Sequence, residues 1–459
     1  MRFERDRLGK VFSDDYPESY GPADTERLRA IVAVQTGQLG PGDPVADARL
    51  YGILAGRRSG DQSRPQLAQQ RRPDGSFSLV ARGELVLPAK EYESGSVSRL
   101  LSGFGPLGAQ VQGKAGARVR LRRPAAAPTD VERAISSCAA AQVEAWPNYL
   151  ATMAAVGKGL GGPEPAPIPK ATQELPGPAN SEPADDPVPA PSATPVRIAL
   201  IDTGIPQQPR TDGWLDIVRT ADDIDRLDVL PAGPDGLLDY AAGHGAFVTG
   251  IVQRVAPQAE VRMYRAADTD GFATDSDIAD AILQAHDDGA QIINLSLGIR
   301  TVDDTPPQSI AEAVATVLRE SQGETVIVAA AGNYGDESKV WPAALPGVEA
   351  VAGLTAALTP AAWSNHGDVR FSTVAEGIRS TFTAGVEAPV FDPQPDTFGV
   401  NAWAIWSGTS FAAPQVAGAV ARVAAEEGIS PRAAVDRLDE FGQPIAGYGK
   451  AMLILQGIG

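Results

Sequence analysis

Val196-Arg197-Ile198-Ala199-Leu200-Ile201-Asp202-Thr203-Gly204 is an almost unbroken apolar run that stops on a carboxylate. A strand buried on both faces reads this way, continuous rather than alternating. The same texture returns at 291–297, 325–330 and 348–353, and helical stretches at 275–287 and 308–320 lie between. Apolar strands interleaved with helices predict an α/β fold, a mostly parallel sheet with helices on both faces. Ligands on such sheets sit at the carboxyl ends of the strands. Asp202 is at such an end, and so is Asn333, which closes Val328-Ala329-Ala330-Ala331-Gly332-Asn333.

Upstream of Val196 the texture changes. Residues 157–195 contain 11 prolines, too many for ladder hydrogen bonds or a core, and read as a semi-extended linker. They divide the chain into an N-terminal unit, 1–156, and a C-terminal unit, 196–459. The N-terminal unit reads as a small α+β domain. Short strand-like runs appear at 78–81, 84–87 and 117–121, and a helix capped by Thr129-Asp130 runs toward Trp146, where Pro147 should end it. Charge separates the units further: residues 1–150 hold 21 Lys/Arg against 17 Asp/Glu, and residues 196–459 hold 16 against 35. An acidic C-terminal unit repels phosphates and anionic lipid heads, so no nucleic-acid or membrane partner is expected.

One false lead is Gly108-Ala-Gln-Val-Gln-Gly113-Lys114-Ala115, close to a phosphate-binding loop. Ala115 stands where a Mg²⁺-ligating hydroxyl is required, and a strand-like run follows instead of a helix. Cys138, the single cysteine, rules out an internal disulfide and multi-cysteine metal sites, and reads as a small buried apolar residue.

The chemistry gathers in four pieces: Ile201-Asp202-Thr203-Gly204, Ala242-Gly243-His244-Gly245, Gly332-Asn333, and Ser407-Gly408-Thr409-Ser410-Phe411-Ala412-Ala413-Pro414. A serine hydroxyl needs an adjacent base, and imidazole, with an ordinary pKa of about 6.5, takes and returns a proton near neutrality. Of three histidines, His286 falls mid-helix and His366 in a turn, both read as surface positions, which leaves His244. An aspartate on the other ring nitrogen would fix the tautomer, and a nucleophile at a helix start meets free N–H groups.

In the order Asp, His, Asn, Ser, these pieces resemble the subtilisin-like serine peptidases, or subtilases, across 196–459. Ile293-Asn294-Leu295-Ser296-Leu297-Gly298 and Trp363-Ser364-Asn365 resemble further signatures of that family. The resemblance implies catalytic roles for Asp202, His244 and Ser410, and an oxyanion hole made by Asn333 and the Ser410 N–H. It also implies that Ser296, Leu297 and Gly298 on one side and Ala330, Ala331 and Gly332 on the other line the pocket for the residue before the scissile bond. Val340 would narrow that pocket toward small or medium apolar residues; Lys339, pointing inward, would instead favour an acidic one. Two departures stand out: Gly245-Ala246-Phe247-Val248 follows the histidine, and Val374-Ala375-Glu376-Gly377 replaces a common Ala-Pro-Gly turn. Calcium sites are common in the family, yet the Asp-rich stretch 216–239 shows no readable ligand spacing and is expected as a solvated acidic loop, with no cofactor and no catalytic metal.

The expected function is therefore a serine endopeptidase working through an acyl-enzyme on a peptide or protein substrate, suited to maturing a particular precursor. The alternative is a catalytically silent scaffold on the same fold. A lipase or esterase is disfavoured, because Gly408-Thr-Ser410-Phe-Ala412 lacks the second elbow glycine and the order of the three residues is wrong. Without a signal-like N-terminus or an 18-residue apolar run, a cytoplasmic location is expected. The N-terminal unit is then expected as a retained domain for substrate or partner recognition, rather than a removable pro-domain.

Overall fold

The computed structural model describes residues 22–37, 48–59, 61, 64–95, 97–107, 118–153, 162–166, 195–217, 224–225, 235–392 and 394–458. Its centre is an eight-stranded sheet in the order Glu260–Arg265, Arg197–Asp202, Ile292–Leu295, Val326–Ala330, Val348–Leu354, Phe371–Val374, Gly449–Met452, Gln443–Ile445. Every neighbouring pair is parallel except the last. Alternate side chains of each strand serve opposite faces. Ile198, Leu200, Ile292, Val326 and Val328 meet the helices His244–Val255 and Ala413–Glu427. Ala199, Ile201, Ile293, Leu295, Ile327 and Ala329 meet Asp275–Asp287 and Gln308–Glu320. The fold is the expected subtilisin-like α/β arrangement. The run expected at 291–297 breaks at Ser296, so that Leu297–Gly298 leaves the central sheet.

The N-terminal unit is built on Phe77–Pro88, one strand where two short runs were expected. It pairs antiparallel with Leu67–Arg71, Arg118–Arg122 and Trp146–Met153. The helix Pro128–Ala140 is shorter than expected, because Gln142 turns into the left-handed region and Trp146–Met153 finds strand partners. Cys138 is buried in this unit's own core. The phosphate-loop look-alike at 108–115 lies outside the described residues.

The two units share structure. Within the stretch expected as linker, Glu164–Pro165 pairs with Ile405 and Ala404 of the strand Trp403–Trp406, and residues 167–194 lie outside the described residues. Arginines of the N-terminal unit meet acids of the C-terminal unit: Arg118 to Asp280 at 3.2 Å, Arg120 to Asp277 at 2.7 Å, Arg72 to Asp304 at 2.8 Å.

Asp275 joins the two helices on this face, accepting hydrogen bonds from the N–H groups of Ser309 (3.2 Å) and Ile310 (3.0 Å). Burial pushes its carboxyl up to about 6, against the hydrogen bonds and the charge of Arg118 that pull the other way. A raised native pKa means that the native chain takes up this proton before the unfolded one. The stabilisation is full below about pH 4 and is lost as pH rises through about 6, worth about 3 kcal/mol at most. The melting temperature of the native sequence, measured relative to Asp275→Asn, should accordingly fall by a few degrees between pH 4 and 7; a constant difference would show that the carboxyl is ionised throughout.

Candidate active site

Asp202 ends its strand where the chain turns off the sheet, fully buried. His244 opens its helix, and its Nδ1 lies 2.7 Å from Asp202 Oδ1. That carboxylate oxygen also accepts the Thr203 N–H at 2.7 Å, and the Thr203 hydroxyl accepts the N–H of Gly245 at 3.0 Å, tying the two pieces together. The imidazole packs against Trp406 and Phe411, with ring centroids 5.7 and 5.4 Å away. Such walls keep water from the pair. His244 Nε2 is buried and has no hydrogen-bond partner among the described residues.

Ser410 sits in a single 3-10 turn, Thr409–Phe411, just ahead of the helix Ala413–Glu427, rather than on the helix itself. Its hydroxyl donates to the Ser296 carbonyl at 2.9 Å, and the Ser296 hydroxyl donates back to the Ser410 carbonyl at 2.9 Å. Asn333 is locked from the same turn: its Oδ1 accepts the Thr409 N–H (3.0 Å) and the Thr409 hydroxyl (2.9 Å). The second departure noted in the sequence reaches this turn as well, for the Ala375 carbonyl accepts the N–H of Gly408. The structure thus gathers Asp202, His244, Asn333 and Ser410 at the carboxyl edge of the sheet. His286 and His366 stay away, the first 3.6 Å from Glu320 and the second stacked on Tyr448.

The residues expected to line a substrate pocket fall on two walls. Leu297–Gly298 forms one, and Ala330, Ala331 and Gly332 form the other, with the Gly332 N–H donating to the Thr409 hydroxyl. Buried Val340 stands between them: a Cβ built on Gly298 would lie 2.5 Å from one of its methyls, and one on Gly332 would lie 2.8 Å from the other. Lys339 is exposed and lies over the Trp341 ring, 5.7 Å from its centroid.

Sequence reasoning missed a third wall, Phe272–Thr274, and the strand that lies between it and Leu297–Gly298. Trp146–Met153 runs antiparallel to both Phe272–Thr274 and Leu297–Gly298, with Thr152 opposite Phe272 and Gly298, and Met153 opposite Leu297. It also missed the acids beside that wall. Asp239, expected in a solvated loop, is fully buried, paired with Arg57 and hydrogen-bonded by Thr269. Burial, with Asp270 nearby, pushes its carboxyl up to about 6 against the pull of Arg57 and Arg64. Arg58, also buried, grips Asp268 through two 2.7 Å contacts and covers the Phe272 ring. The recurrence of arginine in the N-terminal unit was the available signal. Among the described residues, no group of three or more His, Cys, Asp or Glu is placed to hold a metal ion.

The family model described as Subtilase family matches residues 194–438. Over 236 residues the chain is 35% identical to a thermophilic serine proteinase of Bacillus sp. (strain AK1), covering 50% of this chain and 52% of that one, so it spans about half the length of that relative. It is 30% identical over 259 residues to thermitase of Thermoactinomyces vulgaris, covering 55% of this chain and 83% of that one. The crystal structure of fervidolysin from Fervidobacterium pennivorans, described as a keratinolytic enzyme related to subtilisin, superposes with a TM-score of 0.56 at 18% identity, covering 82% of this chain and 60% of that one. That likeness is one of fold. From the matched family model and the identity to thermitase, the chain belongs to the subtilase family.

Proposed function

We propose that the protein is a serine endopeptidase whose cleft is filled by its own N-terminal unit. The observation that carries the reading is the convergence of the Asp202–His244 pair with the turn on which Thr409 grips Asn333 and Ser410 faces Ser296. In the reaction the Ser410 hydroxyl leaves the Ser296 carbonyl and turns to His244 Nε2, which takes its proton as Oγ bonds to the substrate carbonyl carbon. The negative oxygen is met by the Asn333 amide and the Ser410 N–H. Imidazolium, steadied by Asp202, then protonates the leaving amine as the C–N bond breaks, and water hydrolyses the acyl-enzyme by the reverse proton path.

An extended peptide binds such a cleft by joining its strands, whatever its side chains. Trp146–Met153 already does so, which supports a pro-domain role for the N-terminal unit over that of a retained recognition module. The intact quartet argues against a silent scaffold. A fluorophosphonate probe separates the two: label on Ser410, absent from Ser410→Ala, supports the peptidase, and a chain that neither cleaves itself nor takes label anywhere between pH 5 and 9 would leave the scaffold.

Val340 sets the preference on this reading. Its methyls fill the space between the two glycine walls, which leaves room for a small side chain before the scissile bond. Val340→Gly should raise kcat/KM for a phenylalanine substrate relative to an alanine one by ~10- to 100-fold. An unchanged ratio in paired fluorogenic peptides would remove Val340 from the pocket.

A further inference from the structure

The N-terminal third has a second foothold, on the segment that leads to Ser410. The helix Pro22–Gly37 lays Leu28 and Val32 against Ile405 and Ile458. At its end Gln35, fully buried, spends its whole side chain on other segments. Its amide nitrogen donates to the carbonyls of Gly162 (2.8 Å) and Ile405 (3.0 Å), and its oxygen accepts the Ser407 hydroxyl (2.8 Å). The Ser407 hydroxyl accepts in turn the Gly377 N–H at 2.9 Å. Ser407 is three residues before Ser410, on the segment that carries the nucleophile from Trp403–Trp406 into its turn.

From this arrangement we infer that Gln35 is a positioning residue for the nucleophile turn, and that the helix Pro22–Gly37 stays docked on the Ser407 segment when the strand Trp146–Met153 gives up its place. The physical reason is the density of the fixings. A fully buried amide that satisfies two carbonyls and one hydroxyl leaves the backbone at 405–407 almost no freedom, and each of those groups would be orphaned if the amide left. The neighbouring segment 374–377 is caught in the same net through Gly377 and through the Ala375 carbonyl that holds Gly408. A shift of a few tenths of an ångström at Ser407 passes along three residues to Ser410, where reacting atoms must meet within narrow limits. The strand Trp146–Met153 pairs instead with Phe272–Thr274 and Leu297–Gly298, so one foothold occupies the substrate's place and the other aims the serine.

The inference rests on Ser410 being the nucleophile, and the test keeps the two apart. Turnover of the full chain is measured per site titrated with a fluorophosphonate, for the native sequence, Gln35→Met, Ser407→Ala and the double variant, with melting temperatures recorded in parallel. Expected is a fall in kcat of tenfold or more in Gln35→Met with KM within twofold, and a double variant no slower than the slower single one, as for two ends of one link. Equal turnover per titrated site, or losses that multiply, would overturn the positioning role while leaving Ser410 in place. A native chain that takes no label overturns the nucleophile and the inference together. Should Gln35→Met fail to fold, Ser407→Ala cuts the same link from the other end and carries the same expectation.

Discussion

Ser410→Ala is expected to stay in one piece where the native chain severs itself just past Met153. The strand register makes the case. With Thr152 opposite Gly298 and Met153 opposite Leu297, the described strand ends one register step short of Ser296, whose carbonyl holds the Ser410 hydroxyl. The sequence after Met153 is Ala154-Ala155-Val156, small residues of the kind that the Val340-narrowed pocket would take. Intact-mass measurement with N-terminal sequencing should find a new terminus within residues 154–157 in the native protein and none in the variant. Turnover of an added peptide should fall by ~10⁴-fold or more in the variant. Equal fragmentation of both proteins, or a native chain that stays whole through long incubation while cutting other peptides, would defeat the self-cleavage reading.

Asn333→Ala is expected to cost ~10²- to 10³-fold in kcat, with KM within a few-fold of native. Thr409 takes both bonds available to the Asn333 carbonyl, one from its N–H and one from its hydroxyl, so the orientation of the amide is settled before substrate arrives. A donor fixed in advance strengthens as charge develops on the substrate oxygen and adds little to ground-state binding. Progress curves that separate kcat from KM decide the matter: a loss confined to KM would make Asn333 a binding residue.

Much of the C-terminal unit was legible because local and global signals agree there. The helices Asp275–Asp287 and Gln308–Glu320 fall where their apolar spacing put them, the first started by the Thr274 hydroxyl and the second just after Pro307. The central strands fall within a residue or so of their apolar runs, since burial on both faces leaves no other reading. The catalytic candidates were named for a different reason: their four pieces, in the order Asp, His, Asn, Ser, resemble those of the subtilases.

What escaped notice depends on partners distant in sequence. Trp146–Met153 has no periodicity of its own and becomes a strand because Phe77–Pro88 and, more than a hundred positions later, residues 272–274 and 297–298 offer it edges. Asp239 looked like one more acid in a polar loop until Arg57 and Arg64, from the far end of the chain, enclosed it. The resting bond from Ser410 to Ser296 is likewise invisible to a motif, which names residues and not rotamers. The uneven charge noted at the start acquires a physical meaning through these pairs, since arginines of one unit answer acids of the other.

The bond from Gln35 to Ile405 also sets a clock. Its ends are 370 residues apart, and at ~5–20 residues per second of synthesis the glutamine waits roughly 20 to 75 seconds for its partner to exist. Through that interval the strand leading to the serine, Trp403–Trp406, has not yet been made, so it emerges onto a buttress synthesised long before it.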